Sequence, residues 1–492
     1  MKYILGIDIG TSTTKAVAYT TTGKVIAHHS VASNHSTDRS GYHEADPRQM
    51  LDAVITVISA AVIQAGEAPA AISFSAAMHG IMAVDEQGVP LTNILTWADL
   101  RSNGYALKLR NSRTGKKLYE RTGTPVHPMS PLCKLMWMKE QLPDVFERAH
   151  KFISIKEYIF FHFFGEFIVD HSIASATGLF DIYTLKWNAA ALHTAGISDK
   201  KLSRHVSSSY IIRGLKNEYP VRLNIDRETP FVIGGSDGCL AHLGSNALQQ
   251  GAVSLTIGTS GAVRMMMSRP VRDPGQRLFN YLLSDALYIA GGPVNNGGNV
   301  VQWFINNMSG KSPDSGHGFD WFIGEAMKME PGSGGLIFLP YIYGERAPVW
   351  DAEARGIFYG IDGRHRQEHF MRAILEGISF ALRGILETLE ELIVPATAIY
   401  VSGGFIQSKP WVQLLADVLG RKLLVTGSED ASAAGAAIIG MSALGWISSI
   451  TEAGSFFTIG EVYEPDLRKH ELYKENYHVY GQLYDSIKTI KK

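Results

Sequence analysis

Two hairpins in this sequence have the composition of phosphate grips. The first, Tyr3–Tyr19, reads YILGIDIGTSTTKAVAY, and the second, Ala252–Met265, reads AVSLTIGTSGAVRM. Each is an apolar run that breaks at Gly-Thr-Ser and reverses. Gly lets the chain turn tightly, and small hydroxyl residues leave backbone N–H groups open to an anion. In the first, Asp8 ends the run, Gly10 opens the turn, Thr11, Ser12 and Thr13 supply hydroxyls, and Lys15 follows. A carboxylate at the end of a buried strand is costly alone. Mg2+ would relieve that cost, because it takes carboxylates, waters and phosphate oxygens. Alone, a polar hairpin with a capping Asp would look the same. The second loop, Gly258-Thr259-Ser260-Gly261, repeats the pattern half a chain later and favours phosphate binding by the pair.

Two further glycine-rich stretches follow apolar strands. Gly234-Gly235-Ser236-Asp237-Gly238 places a carboxylate on a predicted turn. A hydroxyl attacking a γ-phosphate must lose its proton, and a positioned Asp can accept it. An ordinary β-turn has the same composition. Ser402-Gly403-Gly404 would let a flat base or ribose lie against the backbone, or simply make a tight turn. Asn295-Asn296-Gly297-Gly298 forms another loop before a helix near Val300.

The elements that must position these loops read as follows. Tyr3–Asp8, Lys15–Tyr19 and Val25–Ser30 predict a three-stranded meander. Asp46 and Pro47 then open a helix whose apolar face is Met50, Val54, Val57, Ile58 and Ala61. Ala71–Ser75 is a further buried strand, and Asp99 to about Thr229 is helical and irregular. The second half restarts near Gly251 and carries a long helix, Gln367 to Leu392, in which Gly377 and Gly384 imply close packing. The order β-β-β-α-β in both halves predicts two α/β domains, 1–245 and 246–492, around a cleft.

Composition narrows the class. A chain of 492 residues accommodates two or more cores, and a net charge of -1 offers no basic field for nucleic acid or membrane. The two cysteines, Cys133 and Cys239, form no CxxC pair and suit a reducing cytoplasm. No signal peptide is expected, because Met1 leads at once into a strand containing Asp8. Apolar stretches such as 158–164 and 436–447 are too short to span a bilayer. No HExxH-type metal spacing occurs.

Longer motifs carry a resemblance. Met129–Gln141, MSPLCKLMWMKEQ, is similar to the first signature of the FGGY carbohydrate kinases. Gly356–Ile361 followed by His369–Gly377 is similar to the second. The motifs run in family order from residue 5 to about 440. The resemblance implies two actin-like (ribonuclease H-like) ATPase domains with a central cleft, with ATP and Mg2+ as cofactors. It also implies a role for each matching position. Asp237 is the general base, and Asp8 with Asp237 holds the metal. Asp8, Gly10, Thr11, Ser12, Thr13 and Lys15 form the first phosphate loop, and Gly258 and Thr259 the second. Gly298, Gln302, Gly403, Gly404 and Ser408 lie along the nucleotide. Met78, His79, Trp97, Asp99, Arg101 and His127 contact the polyol.

Within the family, Ser73–His79, Thr96–Arg101, Arg121–Pro131, Ser154–Tyr158 and Tyr343–Pro348 are most similar to members that phosphorylate gluconate. Leu100 departs from that pattern. A sugar acid needs a cationic or N–H partner, for which Arg101, His79, His127 and Lys156 are candidates. The resemblance therefore implies ATP-dependent phosphorylation of a small sugar acid, D-gluconate to 6-phosphogluconate, with a homodimer as an option. A xylulose kinase, an actin-like scaffold and a silent sugar sensor are the alternatives.

Overall fold

The computed structural model describes residues 2–33, 35–37, 41–216, 218–309, 318–427 and 430–488. The chain forms two compact units that interleave in sequence. The first is 1–250, 266–290 and 430–457; the second is 251–265, 291–429 and 458–492. The expected division into two consecutive stretches meeting at 245/246 therefore differs from the packing. A long hairpin and a late helix both return to the first unit. For the helix the cause is composition, since the 431–443 segment is Ala, Gly, Ile and Met with two Ser and is buried from Ala433 to Met441.

The first unit is built on the meander β1 (Tyr3–Ile9), β2 (Thr13–Thr20) and β3 (Val25–Ala32). Helix α1 (Pro47–Ala65) follows, with the Asp46 carboxylate accepting from Arg48 N. Strand β4 is Ala71–Ala76. After the irregular stretch come helices α2 (Pro131–Gln141) and α3 (Ile155–Phe164), strand β5 (Phe231–Ser236) and helix α4 (Asp237–Gly244). The sheet order is β5-β4-β1-β2-β3, with a short strand, Ile211–Ile212, beyond β5. Strands β1, β4 and β5 are parallel, while β2 and β3 are antiparallel to their neighbours. On one sheet face α1 buries Val54, Val57, Ile58 and Ala61 against Leu5, Ile7 and Phe74. On the other, the Ala431–Ala443 helix and α4 share a core with Ile4, Val17 and Val232.

Helix α1 is long and apolar enough, by length and composition, to cross a membrane; it is the one such helix among the described residues. The Ala431–Ala443 helix, which covers part of the 436–447 stretch, is apolar but shorter. The buried face of α1 is spent on the sheet, which is how a core helix of this composition behaves.

The second unit opens with β6 (Ala252–Ile257) and β7 (Gly261–Met267). It continues with α5 (Gly298–Met308), α6 (Gln367–Leu392), β8 (Ala398–Ser402), α7 (Lys409–Leu419), β9 (Leu423–Thr426) and β10 (Ile459–Tyr463). The sheet order is β7-β6-β8-β9-β10, with β6, β8 and β9 parallel. The predicted bounds of α6 hold. A Cβ at Gly377 would lie 2.3 Å from the Phe338 carbonyl oxygen, so the close packing inferred for that glycine is required. Four strands rather than three precede α5, because 279–284 and 287–294 form an added hairpin.

Candidate active site

In the first unit, three parallel strands end side by side. Register aligns Asp8 of β1 with Ser75 of β4, and Ser75 with Gly235 of β5. The carboxyl ends of adjacent parallel strands are where open α/β sheets gather ligands. Asp237 follows β5 directly. It is not in a turn, as its glycine neighbours suggested, but is the first residue of α4, with Ser236 as N-cap. Its Oδ1 accepts from Gly238 N at 2.8 Å. A carboxylate suits that position because the first turn presents unpaired N–H groups. The signal that could have revealed α4 is the apolar set Cys239, Leu240 and Leu243, all buried.

Asp8 accepts from Ser75 Oγ at 3.0 Å. Burial, then the nearby Asp237 carboxylate, pushes the Asp8 acid up from near 3.8 to about 7; Ser75 and Lys15 oppose the rise. Lys15 lies opposite Asp8 across the hairpin and forms a 2.7 Å ion pair with Asp430 Oδ1. The sequence reading missed Asp430, which precedes the returning helix. Gly10 N donates to Thr13 O at 3.1 Å, closing the first loop, and Thr11 Oγ1 accepts from Trp97 Nε1 at 3.4 Å. Thr11 and Thr13 are half-buried and Ser12 is exposed.

The strand beneath Asp237 is anchored by Lys156 of α3. Its ammonium donates to the carbonyls of Ile233 (3.1 Å) and Gly235 (2.8 Å) and pairs with Asp170 Oδ2 at 2.6 Å. Only 1% of Lys156 is exposed. Considered from sequence as a partner for a substrate carboxylate, Lys156 is instead consumed in holding β5. Lys134 of α2 acts similarly. It donates to the carbonyls of His79 (2.7 Å), Leu95 (3.2 Å) and Thr96 (2.6 Å), and burial lowers its pKa to about 7.

That clamp fixes the segments bearing the other first-unit candidates. His79 has φ 68°, and its Nδ1 lies 2.8 Å from Ala176 O. Met78 is half-buried. Arg101 donates to Asp99 Oδ2 (2.7 Å) and Glu44 Oε1 (2.5 Å), and its guanidinium covers the rings of Tyr42 and Trp137. Two carboxylates already answer its charge. His127 is buried, and its Nδ1 accepts from Met129 N at 3.2 Å, which fixes its loop.

The second unit contains a cavity of about 610 Å³ that gathers Gly258, Thr259, Gly298, Gln302, Gly404 and Ser408. Gly298 N donates to Gly258 O (2.8 Å) and Asn299 N to Thr259 O (3.1 Å), so the start of α5 rests on the β6–β7 loop. Gly403 has φ 99°, and a Cβ there would stand 2.5 Å from Ile257 O. It thus turns the chain out of β8 where another residue would be strained. The remaining walls include Trp303, Phe319 and Tyr343. Sequence reading missed Trp303 and Phe319, although exposed Gln302 and Asn306, four apart on a helix that buries Val300, Val301, Phe304 and Ile305, marked α5 as two-sided.

The FGGY family of carbohydrate kinases, N-terminal domain, matches residues 3–244, and the family's C-terminal domain matches residues 253–444. The chain belongs to the FGGY family of carbohydrate kinases. The kinase is 40% identical over 468 residues to a gluconokinase of Bacillus subtilis, covering 94% of this chain and 91% of the relative. It is 28% identical to a xylulose kinase of the same organism, covering 100% and 98%. Among solved structures, a gluconate kinase from Lactobacillus acidophilus superposes with TM-score 0.94 at 34% identity, covering 99% and 98%. The two-domain, mixed helix-and-sheet fold is that of the actin-like sugar kinases, and ATP is the co-substrate the family implies.

Proposed function

We propose that this kinase transfers the γ-phosphoryl group of ATP to the terminal hydroxyl of D-gluconate, giving 6-phosphogluconate and ADP. The observation that carries the reading is the contrast in identity, 40% to a gluconokinase against 28% to a xylulose kinase at similar coverage. Asp237 is the general base, placed by the end of β5 and held over the Lys156 anchor. It takes the proton of the attacking hydroxyl, and the phosphoryl group passes in line to that oxygen. Met78, His79, Trp97, Asp99, Arg101 and His127 shape the sugar site. The Gly10–Thr13 loop, Lys15, Gly258 and Thr259 bind phosphates through N–H and hydroxyl donors. Gly298, Gln302, Gly403, Gly404 and Ser408 hold the nucleoside.

Mg2+ fits the residues present. Asp8 and Asp237 repel one another, and both offer hard oxygen donors. No group of three or more His, Cys, Asp or Glu among the described residues could cage a metal alone. That donor set suits an ion bound by one or two carboxylates and otherwise by phosphate and water. Bound there, Mg2+ would neutralise phosphate charge. The two buried thiols, Cys133 and Cys239, support a reducing cytoplasm as the working compartment.

A panel of gluconate, xylulose, glycerol and related sugars with ATP, read by ADP release, tests the substrate. Gluconate should exceed every neutral sugar at least tenfold in kcat/KM, and a preference for xylulose would overturn the assignment. Asp237→Asn should lose about 10²–10⁴-fold in kcat, whereas wild-type turnover would remove Asp237 from the chemistry.

A further inference from the structure

Four carboxamides of α5 line the cavity in the second unit, and their hydrogen bonds divide them into two kinds. Asn299 is pinned, because its Oδ1 accepts from Gly297 N (2.8 Å) and its Nδ2 donates to Asn295 O (2.9 Å). Asn307 is pinned through Nδ2 to Trp303 O at 2.8 Å. Gln302 and Asn306 are different. They sit one turn apart on α5, both exposed, and Gln302 Nε2 donates to Asn306 Oδ1 at 2.8 Å. Among the described residues, that mutual bond is the one side-chain hydrogen bond either amide makes.

A carboxamide has an oxygen acceptor at one corner and an NH2 donor of nearly the same size at the other. If both amides rotate together, the mutual bond survives with its direction reversed. In the first arrangement the pair turns an acceptor, Gln302 Oε1, and a donor, Asn306 Nδ2, outward. In the second it turns out a donor, Gln302 Nε2, and an acceptor, Asn306 Oδ1. The adenine edge carries an amino donor beside the N1 acceptor, so it complements the first. The guanine and hypoxanthine edges carry the O6 acceptor beside the N1–H donor, so they complement the second. The aromatic walls, Trp303 and Phe319, offer faces that do not distinguish one purine from another.

We propose that the Gln302–Asn306 amide pair is a reversible purine reader, so that this kinase accepts ATP, GTP and ITP as phosphoryl donors. The inference rests on the reading of this cavity as the nucleoside site and extends it to base selection. No backbone donor or acceptor needs to move, and no bond is lost in either arrangement. Specificity arises when a site's buried polar groups are left unpaired by the wrong ligand; a pair that can reverse leaves neither purine unpaired.

The test is the donor kcat/KM for ATP, GTP and ITP with the preferred sugar, together with calorimetric Kd values for ADP and GDP, in wild type and Gln302→Glu. Wild type should use GTP and ITP within about tenfold of ATP. In Gln302→Glu the carboxylate accepts from Asn306 and locks the pair into two outward acceptors. These suit the N1–H and N2 amino donors of guanine and oppose adenine N1. The GTP/ATP ratio should therefore rise at least tenfold, with GTP gaining over ITP, which lacks the N2 amine. A wild type that uses ATP but discriminates against GTP by 100-fold or more overturns the proposal and leaves the cavity assignment standing. So does a Gln302→Glu variant with an unchanged GTP/ATP ratio. If Gln302→Glu alters neither the ADP nor the GDP Kd while both nucleotides bind wild type, the cavity assignment and the proposal fall together.

Discussion

Replacing Asp8 by Asn should make the ligand-free protein more stable and the enzyme poorer. Asp8 ends β1 and Asp237 follows β5, with β4 between the two strands, and the Asp8 acid is raised from near 3.8 to about 7, first by burial and then by the Asp237 carboxylate. A shift of roughly 3 units corresponds to about 4 kcal/mol of unfavourable ionisation at 1.36 kcal/mol per unit. Asp8 keeps partial solvent contact, which screens part of this and leaves about 2–4 kcal/mol. The sign follows from linkage. Because the folded-state value is raised, the folded chain holds the proton more tightly. The stability belonging to protonated Asp8 is complete below about pH 4 and is lost as pH rises through 7. Asn keeps an oxygen for the Ser75 hydroxyl and carries no charge. Urea unfolding in EDTA without nucleotide, at pH 4.5, 6 and 8, is the assay. The variant should exceed wild type by about 2–4 kcal/mol at pH 8, and the advantage should shrink steadily toward pH 4.5. Activity should fall, because the charge that strains the empty fold is the charge proposed for the metal. A variant no more stable than wild type at pH 8, or a difference independent of pH, would refute the argument.

Other substitutions test the supports of the site. Lys156→Met strands the Asp170 carboxylate and the carbonyls of Ile233 and Gly235; breaking such a buried pair costs about 3–5 kcal/mol, to be read by urea unfolding. Lys134→Met leaves the His79, Leu95 and Thr96 carbonyls without their donor, so the KM for sugar should rise more than kcat falls in steady-state kinetics. Gly403→Ala forces an L residue to φ 99°, about 1–2 kcal/mol of strain before any clash, and calorimetry should show ADP affinity reduced at least tenfold.

Much of this site was legible in the chain because its loops are local. The Gly-Thr-Ser hairpins, the Asp46 cap and the period of α6 each depend on neighbours a few residues away, and each was found where the pattern put it. What escaped was set by distant packing. Glycines around Asp237 suggest a turn, yet burial of Cys239, Leu240 and Leu243 continues the chain as helix α4. Lys156 looked available to a substrate because nothing in its neighbourhood shows that Asp170 and the carbonyls of β5 surround it. The Ala431–Ala443 helix is apolar on every side, which announces burial but not the sheet it is buried against.

That last helix has a consequence for how the protein is made. The sheet carrying Asp8 and Asp237 leaves the ribosome early, yet the face bearing Ile4, Val17 and Val232 is completed by Ala433, Ile438 and Met441. Until residues 433–441 have been synthesised, that greasy surface waits without its natural cover. A nascent chain stalled near residue 250 should therefore attract chaperones. A fragment cut there should precipitate when expressed alone, and supplying 430–457 as a separate peptide should rescue it.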